Sequence, residues 1–274
     1  MKRQSSCIHS IVLAVFFSAL LAQAQTPNHG QLEITYIAND GFLIAYESKK
    51  ILIDALHTWP NYQSTPDDVF NDMRAAKPPF EDIDLVLVTH PHPDHFHPDM
   101  IELFLANHTH TKLIAPPVAI ELLKITAPER FETFVENQII MVDIDVGGVF
   151  DLSEKGIDLK IFGLDHGGPS DMLNFGFLIK MDDKTLLHEG DSNISHAYFQ
   201  SAFCDTDSID ILFENDPYRT DPERQKIIQD YLKPKHRIGM HIQPKNLERF
   251  VREIKATFPD EIIFTEPMEK RVFK

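Results

Sequence analysis

Three imidazoles and a carboxylate are gathered in the short run His90-Pro91-His92-Pro93-Asp94-His95. Alternate residues of an extended chain share a side, so His90 and His92 can bind one cation. Asp94 and His95 are adjacent, and a turn between them lets both face a second cation close by. Imidazole with carboxylate suits zinc, iron or manganese. Pro91 and Pro93 stiffen the loop before any metal arrives. A histidine-rich surface loop is the bland alternative, but chance explains this order of ligand types poorly. Two cations held side by side acidify a water between them and polarise a substrate oxygen, which is the chemistry of hydrolysis.

What aims these ligands is the run before them. Residues 83–89 (IDLVLVT) are largely apolar and are predicted to be a fully buried strand. A loop leaving the end of a central strand is where a rigid sheet can point several side chains at one place. Upstream, 32–38, 42–46 and 51–54 are predicted as consecutive strands, the first two joined by the turn Asn39-Asp40-Gly41. Residues 100–107 are predicted as a helix and 112–115 as a strand. The second half repeats this pattern. Strands are predicted at 159–164, 175–180, 185–188, 209–213 and 237–240, with Asp182-Asp183 turning between the second and third. A helix is expected at 221–232 and another after Pro244, where Leu247, Phe250, Val251, Ile254 and Phe258 make one apolar stripe. A strand at 261–264 closes the chain. Segments 56–79 and 116–138 are read as loops. Each half thus begins with antiparallel-type strands and ends with strands alternating with helices. Two sheets face to face, with helices outside, would bury every run, so the expected fold class is α/β, a four-layer α/β/β/α sandwich.

The bulk properties agree with a small-molecule enzyme. The chain has 274 residues, 43% hydrophobic and 25% charged, enough to bury a core without crosslinks. A formal net charge of −16 repels phosphate backbones and argues against nucleic acid as a partner. Lys2 and Arg3 precede an apolar run at 11–22 that is too short to span a bilayer comfortably. Ala22-Gln23-Ala24 follows as a small-x-small site. Residues 1–24 are therefore predicted to be a signal peptide cleaved after Ala24. The mature chain, 25–274, would be one periplasmic or secreted domain with no stable membrane insertion. Cys7 would leave with the leader. Cys204 then stands as the only mature cysteine, which rules out an intramolecular disulfide. No basic neighbour in sequence lowers its pKa, so it is read as a small buried side chain.

The histidine-rich motif and others that follow it in order resemble the metallo-β-lactamase superfamily over nearly the whole mature chain. The resemblance implies that Asp54, after KILI, supports the site from behind. It implies that His166 in Leu164-Asp165-His166-Gly167 joins His90 and His92 on one metal. Asp94, His95 and His241 would hold the second. Asp191, in His188-Glu189-Gly190-Asp191, would bridge the two beside a water-derived hydroxide. Spacing alone does not choose His166 over His188, which is expected to support a ligand. His97, His108 and His110 are expected on the surface, His97 at the pocket edge. The best-known zinc β-lactamases place a cysteine on the second metal, whereas this chain has aspartate in that region. The similarity is therefore greater to the Asp-bridged branch. The Asn39-Asp40-Gly41-Phe42-Leu43-Ile44 start resembles the part of it with the ascorbate-phosphate lactonase and phospholipase-D-type hydrolases. The resemblance implies two divalent cations, Zn2+ first, with Mn2+ or Fe open. It implies hydrolysis of a small ester, lactone, amide or phosphodiester, with Asp94 also orienting the hydroxide as a catalytic group. Two other readings stay open: di-iron oxygen or redox chemistry, and metal binding without catalysis. Tyr218 and Arg219 stand where they could reach a substrate but are read as solvated loop residues.

Overall fold

The apolar runs pair into two sheets. The computed structural model describes residues 30–167, 172–192, 208–215 and 220–274. The first sheet is built from β1 (Leu32–Ala38), β2 (Gly41–Tyr46), β3 (Lys49–Ile53), β4 (Leu85–Leu87), β5 (Lys112–Ile114) and β13 (Lys270–Phe273). The second holds β6 (Val149–Glu154), β7 (Ile157–Asp165), β8 (Leu173–Met181), β9 (Lys184–His188), β10 (Ile211–Asn215), β11 (His236–Met240) and β12 (Ile262–Ile263). Their orders are β13-β1-β2-β3-β4-β5 and β12-β11-β10-β9-β8-β7-β6. β1, β2 and β3 pair antiparallel, and β3, β4 and β5 pair parallel. β6 to β9 are likewise antiparallel, and β9 to β12 parallel. The two halves therefore have the change of direction that their patterning predicts.

Burial shows the layers. Between the sheets lie Phe42, Ile44, Ile51, Leu85 and Ile114 from one and Ile161, Phe175, Phe177, Ile211 and Phe213 from the other. The opposite face of the first sheet, through Leu43, Leu52, Val86 and Leu113, packs on helices α1 (Asp67–Arg74), α2 (Pro98–Leu105), α3 (Pro117–Thr126) and α4 (Phe131–Asn137). The second sheet covers its outer face with α5 (Pro222–Ile227) and the π-turn Ile228–Leu232, against Phe162, Leu187 and Leu212. A last helix, α6 (Leu247–Thr257), buries Phe250 and Ile254 against Ile263. The arrangement is helices, sheet, sheet, helices. At roughly 25 cal/mol per Å² of apolar area removed from water, the core between the sheets and the core under the helices of the first sheet both drive the fold.

Several expectations need correcting. The strand expected over 83–89 is paired only at Leu85–Leu87. Beyond it, Val88 N–H donates to the Ile114 carbonyl at 2.9 Å and Thr89 N–H to an Asp54 carboxylate oxygen at 2.8 Å. The stretches read as loops carry α1, α3 and α4. Helix 221–232 is shorter as an α-helix and ends in the π-turn. β6 and β13 were not expected: β6 alternates exposed and half-buried residues and β13 is mostly exposed, so neither makes an apolar run. His108 is not on the surface. It is buried, stacked on Phe104 at a ring distance of 4.0 Å, and its Nε2 donates to the Met73 carbonyl at 2.7 Å. His110 is exposed, as expected. The leader 1–24 with Cys7, and Cys204, Tyr218 and Arg219, lie outside the described residues. Among the described residues no helix is long and apolar enough to cross a membrane.

Candidate metal centre

Chain segments leaving one edge of the two sheets meet here. Asn39 and Asp40 follow β1, Asp54 follows β3, and residues 88–96 follow β4. His166 follows β7, Asp191 closely follows β9, Asn215 ends β10, and His241 follows β11. Asp54 and His241 lie just past their strands with left-handed backbones, φ 44° and 59°. Neither is glycine, so each stores strain of order 1 kcal/mol, which is typical where a side chain must be aimed.

The seven side chains expected at the site are brought together. Ligand atoms of His90, His92 and His166 lie within 4.8 Å of one another, and so do those of Asp94, His95 and His241. His90 Nε2 is 3.0 Å from His92 Nδ1. His241 Nε2 is 3.4 Å from Asp94 Oδ2. Between the groups stands Asp191, whose Oδ2 is 3.8 Å from His166 Nε2, 3.4 Å from His95 Nε2 and 3.0 Å from His241 Nε2. One carboxylate oxygen thus faces both clusters.

A set of hydrogen bonds holds these groups from behind. Asp54 Oδ1 accepts from Thr89 N–H, and its Oδ2 accepts from Thr89 Oγ1 at 2.6 Å and from His95 Nδ1 at 2.7 Å. The second bond fixes the His95 tautomer and turns Nε2 toward the centre, the usual role of a carboxylate behind a ligating histidine. Asn215 Nδ2 donates to Asp191 Oδ1 at 2.7 Å, which leaves Oδ2 facing the clusters. Asn174 Oδ1 accepts from Asp191 N–H at 3.2 Å, and Asn39 Nδ2 donates to the Asp94 carbonyl at 3.2 Å. His188 does not touch a ligand side chain. Its Nε2 donates to the Asp40 carbonyl at 3.1 Å and its Nδ1 accepts from Gly190 N–H at 3.2 Å, so it ties two loops together. Gly190 has φ +58°, and a Cβ there would stand 2.4 Å from Asn174 Oδ1 and 2.7 Å from Thr89 Cβ. Only glycine lets the Asp191 loop approach so closely. Thr89, Asn174 and Asn215 carried no signal in the sequence, because single polar residues at strand ends are common, and Asn39 was read as part of a turn with no role at the site.

Electrostatics show what the site lacks. Burial, with charge from His95, pushes the imidazole of His90 below its ordinary range, and burial with charge from His166 does the same to His92. Neutral rings are what a cation requires. Burial alone would also discourage charge on His95 and His241, yet Asp191 and Asp40 raise both well above the ordinary histidine value. Burial would raise Asp191, but His95 and His241 hold it well below the usual carboxylate range. The carboxylates demand positive charge at their centre. Nε2 of His95 and of His166, both buried, have no hydrogen-bond partner among the described residues. Buried polar atoms left unpaired are costly, and divalent cations would satisfy both the charge and the orphaned nitrogens. The residues fit the cations that the donor set implies.

A histidine absent from the expected set lies beneath this cluster. His57 is fully buried and donates through Nε2 to the Ala38 carbonyl at 3.3 Å. Burial, then the charge of His95, lowers its pKa from 6.5 to about 4. The folded chain keeps His57 neutral while the unfolded chain protonates it below pH 6.5. Its contribution is therefore full above that pH and is lost as pH falls toward 4, about 3 kcal/mol in all. Urea unfolding of the metal-free protein should show the wild type losing about that much more stability between pH 7 and pH 4 than His57→Gln. Equal losses would contradict a neutral buried His57.

The chain is similar to known proteins over most of its length. Residues 49–257 match the family model described as "Beta-lactamase superfamily domain". A "UPF0173 metal-dependent hydrolase" from Pelotomaculum thermopropionicum is 27% identical over 225 residues, covering 77% of this chain and 84% of that protein. Among solved structures, Igni18, a metallo hydrolase from Ignicoccus hospitalis, superposes with a TM-score of 0.60 at 20% identity, over 89% of this chain and 99% of that one. CmlA, a diiron β-hydroxylase from Streptomyces venezuelae, gives 0.55 at 17% identity, over 91% of this chain and 55% of that one. At these identities the two structures speak for a shared fold alone.

Proposed function

The chain belongs to the beta-lactamase superfamily, whose domain spans its residues 49–257, and from that premise we propose that it is a metal-dependent hydrolase using two divalent cations. Its substrate class is a small ester, lactone, amide or phosphodiester. The observation that carries this reading is the position of Asp191 Oδ2, within 3.8 Å of nitrogens from both clusters. His90, His92 and His166 would hold one cation, and Asp94, His95 and His241 the other, with Asp191 common to both. Bound there, the cations supply Lewis acidity and bring the pKa of a shared water toward neutrality.

The protein's own groups do the positioning. Asp54 and Thr89 lock the rings of His95 and His90, the latter through Thr89 Oγ1 at 3.0 Å from His90 Nδ1. Asp94 is held below the usual carboxylate range: burial opposes this, but His241 and His95 outweigh it. It therefore stays an acceptor that can orient an attacking water through Oδ2. Tyr62 stacks on His241 with ring centroids 4.5 Å apart. It fixes the plane of that imidazole and gives the mouth of the site an aromatic wall. No serine or cysteine nucleophile is required. Zn2+ is the first candidate, and Mn2+ or Fe suits the same donors.

The test is metal analysis of protein purified without added metal, followed by hydrolysis assays on β-lactam, lactone, thioester and phosphodiester substrates. The expected result is close to two equivalents of metal and turnover that a chelator abolishes. Turnover that survives removal of all metal would refute the proposal.

A further inference from the structure

Asp40 was expected as part of a turn and of the Asn39–Ile44 start, with no role at the site, and the structure turns its side chain inward. The turn Asn39-Asp40-Gly41 joins β1 to β2, and turn tips normally face water. This one is folded inward. A Cβ on Gly41 would sit 2.6 Å from the Asp54 carbonyl oxygen and 2.8 Å from that of Ala38, so the turn is pressed against the end of β3. The Asp40 side chain is completely buried. Its Oδ2 is 3.7 Å from His95 Nε2, the nitrogen that Asp54 turns toward the centre.

An aspartate in a turn ordinarily bonds its own backbone. Neither oxygen of Asp40 meets a donor at hydrogen-bonding geometry among the described residues, and neither does His95 Nε2. The charged groups that act on it most are those of the centre: His241, His95 and Asp191. The structural work at this position is done by the backbone, through the Asp40 carbonyl that accepts from His188 Nε2. The carboxylate has no such task. A fully buried carboxyl group can hold its charge only at high cost, and a cation arriving beside it would remove that cost.

We propose that Asp40 is an additional metal ligand, supplying a third carboxylate to the cation held by Asp94, His95, His241 and Asp191. This rests on the two-cation reading above. That position would then offer three carboxylates and two imidazoles, against three imidazoles and the shared Asp191 at the other. Oxygen donors favour harder cations, so the carboxylate-rich position should accept Mn2+ or Fe2+ more readily than a site of imidazoles alone. The two positions would differ in metal preference, and a mixed-metal pair becomes a natural loaded state.

The experiment is binding of Mn2+ and of Zn2+ to the metal-free full chain, wild type and Asp40→Asn, by calorimetry with chelator competition. The expected result is two equivalents on the wild type. Mn2+ affinity at one site should fall at least ~10-fold in Asp40→Asn, with Zn2+ affected less and the other site unchanged. The metal-free variant should melt no lower than the wild type, because asparagine keeps the size of the side chain and the backbone bond to His188 is untouched. A purely structural side chain would give a lower melting temperature and unaltered binding. Unchanged Mn2+ affinity would overturn the proposal while leaving the two-cation reading intact. Fewer than two equivalents on the wild type would overturn both. A crystal of the Mn2+-loaded wild type, located by anomalous scattering, decides the matter without the variant. An Asp40 oxygen at about 2.0–2.3 Å from an ion supports ligation, and a separation beyond about 3 Å excludes it.

Discussion

Asp191→Ala should lower turnover by roughly 10³-fold or more and remove at least one equivalent of bound metal. The argument is geometric. Loss of a group that merely supports a ligand costs about 10–100-fold in metal affinity or activity. Asp191 stands one step closer, with Oδ2 facing nitrogens of His166, His95 and His241 at 3.8, 3.4 and 3.0 Å. In the proposed centre, its removal would take one donor from each of two cations at once. It also leaves His95 and His241 without the carboxylate that does most to raise their proton affinity. Asn215→Ala provides the graded control. It deletes the 2.7 Å bond to Asp191 Oδ1 and keeps the carboxylate, so a loss of about 10–100-fold in metal affinity is expected. Steady-state kinetics beside metal quantification on the same samples reads both. Asp191→Ala with full metal content and near-normal turnover would show that the two clusters do not share a bridging group.

The second large effect concerns the frame behind that loop. Glu189, two residues before Asp191, is buried with its carboxylate paired to the Arg224 guanidinium, which is itself 5% exposed. Burial raises the Glu189 carboxyl, and the charge and hydrogen bonding of Arg224 oppose this. Arg224 is held by α5, whose N-cap Asp221 accepts from its backbone N–H at 2.9 Å. Arg224→Met keeps much of the side-chain volume and removes the partner. It should cost about 3–5 kcal/mol, because a charge is left buried without compensation. The double variant Arg224→Met with Glu189→Gln should recover much of that loss, since no charge then remains to be satisfied. Chemical denaturation of these two variants and of Glu189→Gln alone measures both the loss and the coupling. A cost below about 1 kcal/mol for Arg224→Met would mean that the pair contributes no more than a surface salt bridge.

The fold was legible where burial leaves a pattern. β1, β2, β7, β8 and β9 each put apolar side chains into the inter-sheet core, and their periodicity shows in the chain. The parallel strands β4 and β10 are buried on both faces, and β4 with the first three residues of β10 appears as an apolar run. β6 was not legible, because as the outermost strand of its sheet it buries almost nothing. β13 was missed because its pairing with β1 links the two ends of the described chain, and no local pattern encodes such a contact. The helices over 67–74, 117–126 and 131–137 were hidden among polar residues and prolines. Their reason for being helical is the outer face of the first sheet, which they cover.

The types and order of the metal-binding residues were determined locally. Histidine and aspartate at 90, 92, 94 and 95 sit so close in sequence that almost any fold would leave them neighbours. What tertiary structure alone decided is which distant groups join them. His166, Asp191 and His241 lie on separate strand ends, and the convergence of those ends on one edge comes from sheet order, not from spacing. The same cause separates His166 from His188: one leaves its strand toward the cluster, and the other bonds two loops behind it. Asp40 shows the limit most clearly. In the chain it is ordinary turn chemistry, and only the packing of that turn against β3 makes it a buried carboxyl group facing the histidine and aspartate cluster.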